Sequence, residues 1–160
     1  MTATPIHSDL PHIDVETAGD AAAVEALVLA AFGPGRFAKT AERLRERAPM
    51  AAGFVAREGD LLLGSVRLWS ITIGGTPALF LGPIAVAAGN RRAGLGAELV
   101  QACLIRATEA KQGVLLVGDA PYFGRFGFVM APEVHLSGPV DPRRLLWRGE
   151  GLPAGLVAPA

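Results

Sequence analysis

Residues 81–96 read LGPIAVAAGNRRAGLG, and this stretch decides the fold. It begins inside an almost wholly apolar run, residues 78–86, of the kind expected from a strand buried on both faces of a sheet. Gly82-Pro83 interrupts that run. Proline has no N–H for a ladder, so it belongs at an edge or a bulge. Two readings stand side by side: a plain structural bulge, or a point where two neighbouring strands splay and open a slot. A loop with Arg91 and Arg92 follows, then glycines at 94 and 96, then a helix over about 94–111. Leu99, Val100, Cys103, Leu104 and Ala107 fall on its inner side. Glycines let backbone approach a ligand closely. A helix N-terminus offers unpaired N–H groups and partial positive charge to phosphate oxygens, and the arginines add charge-assisted donors. Together these describe a diphosphate site; the plainer alternative is a glycine-rich helix start beside two solvated arginines.

Upstream, residues 12–17 alternate around Ile13 and Val15 as a short strand, and Asp20 is placed to cap a helix whose apolar face holds Val24, Leu27, Val28 and Ala31. Gly33-Pro34-Gly35 ends it. A shorter helix over 40–47 turns Ala41, Leu44 and Ala48 inward, and Pro49 stops it. Strands at 53–57 and 61–73 flank a Gly59-Asp60 turn, with room for a bend near Gly64, and Gly74-Gly75 turns the chain again. Downstream, Gly113 closes the long helix, 114–117 is a buried strand, and Asp119 caps a short helix with Pro121 in its first turn. Residues 128–136 read as a strand with a proline near its middle and 143–148 as a last edge strand. The Pro-, Gly- and Ala-rich end is expected to fray. No repeat or linker divides the chain, so one domain with an ordered core over about 12–148 is expected.

Composition bounds the function. The 160 residues carry 15 basic and 15 acidic side chains, so no overall basic field draws the chain to nucleic acid or to acidic membranes. Cys103 is the only cysteine, which excludes an internal disulfide and a cysteine-rich metal site and suits a reducing compartment. The first ten residues lack the apolar core of a signal peptide. A cytoplasmic protein with no metal, no nucleic-acid partner and no membrane partner is expected.

Other phosphate-binding loops fit less well. No Gly-Lys-Ser/Thr follows the glycines, so a P-loop is out. A dinucleotide fold would use Gly94 and Gly96 as its first glycines and Asp119 at the end of the next strand. But Leu99 stands where its third glycine belongs, the preceding strands come as hairpins, and too little chain follows Asp119.

Arg91, Gly94 and Gly96 after an apolar strand, followed one strand later by GDAPYFGRFGF at residues 118–128, resemble the GNAT superfamily of N-acetyltransferases, in its bacterial YhbS-like branch. The order of elements agrees from about residue 12 to 148. The resemblance implies an α/β (α+β) fold: a mixed, strongly twisted central sheet with helices on both faces and a splayed strand pair. The strand ending Ile84-Ala85-Val86 would part from 114–117. The pantetheine arm of acetyl-CoA would lie in that slot on the backbone of Ile84 and Val86, with its diphosphate on the amides of Arg92, Ala93, Gly94, Leu95 and Gly96. Ala85, Arg91, Asp119 and Phe123 complete the expected coenzyme site. The implied activity is transfer of an acetyl group from acetyl-CoA to an amine of a small molecule or protein, by a monomer or homodimer. The alternative is a non-catalytic acyl-CoA-binding or sensor module.

One departure from the family concerns catalysis. The family's general-acid tyrosine sits four residues before the glycine of Gly-Phe, and that position holds Phe123. The single tyrosine, Tyr122, is one residue earlier and about 100° away around a helix. Tyr122 is therefore the catalytic candidate, ranked behind unaided departure of the thiolate, because a thiol of pKa near ~8.5 is a tolerable leaving group. Glu58, Glu98, Glu133 and His135 are candidate bases by chemistry alone, and a carboxylate at 98 already suits the helix dipole. Trp69 and Trp147 are read as packing before acceptor-pocket lining, and Arg125 and Phe126 as packing and surface.

Overall fold

The computed structural model describes residues 12–89 and 94–160, the side chain of Phe37 excepted. Strands β1 (His12–Val15), β2 (Met50–Glu58), β3 (Leu61–Ile73) and β4 (Thr76–Leu81) form consecutive antiparallel pairs. The hairpin turns fall at the Gly-Asp and Gly-Gly pairs that the sequence marks. β3 runs unbroken, and a shift in its register with β2, between Ala56 and Arg57, falls beside Gly64. Then come β5 (Ala85–Val86), α3 (Leu95–Glu109), β6 (Val114–Val117) and α4 (Ala120–Gly124). Earlier in the chain, α1 (Ala21–Phe32) and α2 (Thr40–Arg47) bridge β1 and β2.

The path through the sheet is β1-β2-β3-β4-β6, followed by β9 (Leu145–Arg148) and β7 (Val129–Met130). Among the described residues the β4–β6 pair is parallel and the pairs β1–β2, β2–β3, β3–β4, β6–β9 and β7–β9 are antiparallel, so the sheet is mixed. Alternation along β2 sorts its side chains to two faces. Ala56 joins Leu68, Leu99, Val100 and Phe123 in a core under α3 and α4. Val55 joins Val24 and Val28 of α1 on the other face, where Ala48 after α2 packs with Ile71, Phe80 and Leu115.

Four expectations change. The run at 78–86 is two strands, β4 and β5, because Gly82-Pro83-Ile84 leaves the ladder. The segment at 128–136 is likewise split into β7 and β8 (Val134–His135), with Ala131, Pro132 and Glu133 turning between them. β9 is not an edge strand, since β6 and β7 flank it. The C-terminal segment does not fray. It forms β10 (Gly155–Pro159), antiparallel to Ile71–Ile73 and parallel to β8. β2 pairs with β3 only as far as Trp69, so the upper half of β3 offers a free edge that the last residues complete.

Candidate active site

The slot is built by a mismatch between two strand pairings. β4 pairs with β6 at Leu79↔Val114 and Phe80↔Leu115, and no further. On its other side the chain stays with β3, first through β4 and then through β5, where Gly64↔Val86 and Ser65↔Ala85 are partners. Between them lies a one-residue bulge at Gly82-Pro83-Ile84. Gly82 has φ +138°, a backbone conformation that L side chains rarely adopt. Its N–H donates to Arg67 O at 2.9 Å and its carbonyl accepts from Trp69 Nε1 at 2.6 Å, which pins the bulge.

Past the bulge, β5 has one paired edge and, among the described residues, one open edge. The Ala87 N–H donates to Leu63 O at 2.8 Å. Antiparallel alternation therefore turns the N–H and C=O of Val86 away from β3 and into the gap toward β6. Ile84 has the same parity. Ala85 faces the other way: it pairs with Ser65 and its side chain packs against α1. Of the three adjacent residues, Ile84 lines the cavity described below, Val86 turns its backbone toward the gap, and Ala85 does neither.

The open edge leads toward the first turn of α3. Gly94 stands at the N-cap with φ +84°, and Leu95 turns its side chain fully into the core, leaving only backbone outward. A β-carbon on Gly96 would lie 3.6 Å from the Tyr122 hydroxyl and 4.0 Å from Val86 Cγ2, so this surface is shallow and unobstructed. Arg91, Arg92 and Ala93 lie outside the described residues.

α4 forms the opposite wall. The Asp119 carboxylate accepts from the Tyr122 amide at 3.0 Å, the cap that the sequence implies. Phe123 is buried, its ring 5.8 Å from that of Phe128, and it lines the slot with Ile84, Leu116 and Asp119. Tyr122 is not among the described residues lining that cavity. Its hydroxyl points to the first turn of α3, and Arg125 stacks on its ring at 4.4 Å. The two rings touch edge to face, with centroids 4.9 Å apart, yet only Phe123 of the two lines the cavity.

The cavity of about 810 Å³ passes through the splay to the α1–α2 face, where Phe32, Arg36, Glu42 and Arg45 line it. None of Glu58, Glu98, Glu133 and His135 lines it. Glu42 does, and sequence reasoning missed it, because the reading of the helix over 40–47 turned only Ala41, Leu44 and Ala48 inward. Trp69 lines a smaller neighbouring cavity, and Trp147 is buried with Nε1 on Gly151 O at 3.1 Å. Cys103 is fully buried, and desolvation pushes its thiol up to about 12, so it is no candidate nucleophile. Among the described residues no group of three or more His, Cys, Asp or Glu is placed to hold a metal. No helix there is long and apolar enough to cross a membrane.

The sequence matches the model of the acetyltransferase (GNAT) family over residues 21–128. No curated protein matches it. Among solved structures, the fold is similar to a GNAT family N-acetyltransferase (YhbS) from Escherichia coli in complex with CoA, at TM-score 0.81 and 25% identity, covering 100% of this chain and 94% of that one. It is similar to a GNAT family acetyltransferase from Brucella melitensis in complex with acetyl-CoA, at TM-score 0.73 and 26% identity, covering 94% and 96%. A Corynebacterium glutamicum structure described as histone acetyltransferase HPA2 and related acetyltransferase shares the fold at TM-score 0.64 and 18% identity, covering 90% and 98%.

Proposed function

Because the chain belongs to the acetyltransferase (GNAT) family, we propose that it moves the acetyl group of acetyl-CoA to an amine, as a single cytoplasmic domain, monomeric or homodimeric. The observation that carries this reading is the open edge of β5 beside the α3 N-terminus. An extended amide-bearing arm fits such an edge as an added strand, and a diphosphate fits unpaired helix N–H groups approached over glycine. The similar structures that hold CoA and acetyl-CoA support it.

In this reading Ile84, Val86, Gly94, Leu95 and Gly96 meet the coenzyme through backbone, with Arg91, Arg92 and Ala93 between them, and Asp119 and Phe123 close the far side. The amide of Ile84 or Val86 polarises the thioester carbonyl. The acceptor nitrogen bonds to the carbonyl carbon, the carbon–sulfur bond breaks, and the proton shed by nitrogen balances the thiolate charge directly or through solvent. Transfer is direct, because the one cysteine is buried. Phe123 at the slot wall cannot donate a proton, and Tyr122 points toward α3 instead, which favours a thiolate that leaves without a protein acid. The same phenylalanine favours, as a second reading, a module that binds acyl-CoA without catalysis.

Thiol release from acetyl-CoA across an amine panel, with thermal shift by acetyl-CoA, NAD and NADP, separates these. Stabilisation by acetyl-CoA with amine-dependent thiol release is the expected result. Stabilisation without turnover by any amine selects the binding module. Equal or greater stabilisation by NAD or NADP contradicts both.

A further inference from the structure

Charge is unevenly spread where the cavity meets the bulge. Arg36, Lys39 and Arg45 line its α1–α2 side, and Arg144 lines the side near β6. The acids lining it, among the described residues, are Glu42 and Asp119, and both are engaged. Glu42 accepts from Arg36 at 3.0 Å and from Arg45 at 3.1 Å. Asp119 caps α4. Glu25 also holds Arg36, at 2.9 Å, and with it counted the wall still carries a small cationic surplus.

Arg45 stands against the bulge itself. Its Nη2 lies 2.7 Å from the point where a β-carbon on Gly82 would be, and its Cζ lies 5.5 Å over the Phe80 ring. Its side chain is 14% exposed. Among the described residues its one hydrogen bond runs from Nη1 to Glu42, and its buried Nε finds no acceptor. A guanidinium has five N–H donors in a rigid fork, so Arg45 keeps donors beside the residues proposed to meet the thioester. A largely desolvated cation with spare donors is matched by an anion. The smaller cavity, about 260 Å³, shares Arg36, Glu42 and Arg45 but adds Glu25, Glu46 and Arg67, which balances its charge. Ile84 and β6 are not among its lining residues, and it adjoins the larger cavity along Arg36, Glu42, Arg45 and Pro83.

We propose that the acceptor is an amine carrying its own anionic group beside the nitrogen, an α-amino-carboxylate or its phosphonate counterpart, held through that anion by Arg45. The inference rests on the acetyl-transfer reading and names its acceptor class. The same cations act on the nucleophile. Nearby positive charge disfavours an ammonium ion, so the neutral amine that must attack is favoured in a cavity whose carboxylates are already engaged. Polyamines and lysine-rich peptides meet the same wall as repulsion.

The test compares matched acceptors with acetyl-CoA by thiol release, with kcat/KM expressed per unprotonated amine. The set is an amino acid, its carboxamide, its decarboxylated amine, its phosphonate analogue and a polyamine. The expected result is at least a tenfold preference for the carboxylate and phosphonate over the neutral-tailed pair. Arg45→Gln should bring that ratio near one by raising KM for the anionic acceptors, with coenzyme affinity by calorimetry unchanged, and Arg45→Lys should recover part of it. Equal or better turnover of the carboxamide or polyamine by the unmutated protein overturns the inference and needs no variant to fold. Loss of coenzyme affinity in Arg45→Gln with an unchanged acceptor ratio also overturns it, by reassigning the arginine to the coenzyme. If acetyl-CoA neither binds nor releases thiol with any acceptor, the acetyl-transfer reading falls and takes the inference with it. If it binds and only cationic amines are acetylated, the inference alone falls.

Discussion

The two ends of the slot are made of different materials. On the α3–α4 side the surface is backbone: an unpaired strand edge at Val86, a helix start at Gly94, and a glycine at 96 that leaves room. On the α1–α2 side the surface is charge. Arg67 makes paired hydrogen bonds to Glu16 at 3.0 and 2.8 Å, Glu25 joins Arg67 to Arg36, and Glu42 joins Arg36 to Arg45. A surface of backbone depends on local conformation and tolerates few side chains. A surface of charge depends on partners from distant parts of the chain, and removing one strands the next.

The largest expected effect lies on the charged side. Arg67→Met leaves the carboxylate of Glu16, whose side chain is 3% exposed, without its bidentate partner. Breaking a buried pair from one side costs about 3 kcal/mol or more, to be read by denaturant unfolding, while coenzyme affinity should change little. The exposed pair Arg143–Asp141 sets the contrast: Arg143→Met should leave stability nearly unchanged, because that arginine is 83% exposed.

On the backbone side the two readouts should exchange places. Gly96→Val should weaken coenzyme A binding by about 100-fold, the scale of overfilling a close-packed contact. Its stability should hold, since a β-carbon there meets only ordinary van der Waals neighbours. Calorimetry and unfolding on the same protein measure both. An Arg67→Met protein that loses coenzyme affinity at full stability, or a Gly96→Val protein that unfolds, breaks the comparison.

That difference in material also decides what the sequence reveals. The backbone side is legible because glycine and proline carry their conformational meaning locally. Gly82-Pro83 signals the broken ladder, and Gly94 and Gly96 mark the helix start where the close approach is proposed. The charged side is not, because Glu16 and Arg67 are 51 positions apart and nothing local pairs them. The same limit hid β10. Its prolines and glycines read as a loose end, and only the free upper edge of β3 makes them a strand. Tyr122 and Phe123 fall between: helical offset rules out their occupying one place, and the fold decides which one faces the slot.

A smaller effect is expected for Tyr122→Phe. The hydroxyl points at α3 and not into the cavity, so kcat should fall less than about tenfold, below the scale of general acid catalysis. Loss of 100-fold or more together with a basic-limb pKa in the pH–rate profile would install Tyr122 as the acid.

The smallest expected effect is the loss of a contribution that is present at neutral pH and fades only in acid. Two hydrogen bonds from Arg57, at 2.7 and 2.6 Å, and one from the Thr17 amide hold the Asp20 carboxyl well below the usual carboxylate range. A depressed folded value means that the stabilisation is complete above the unfolded value, about 3.9. It fades as pH falls from there toward the folded value. Arg57→Gln should therefore lose stability at neutral pH and show a flatter decline below about pH 4, measured by denaturant unfolding across pH.

The most direct test of the account is amide-resolved hydrogen exchange by NMR with and without coenzyme A. The Val86 N–H turns into the slot with no strand beside it, and the proposal gives it a partner when coenzyme binds. Strong slowing of exchange at Val86, together with the first turn of α3, is the expected result. Coenzyme that binds while Val86 exchange stays unchanged would contradict the placement of the coenzyme in the splay.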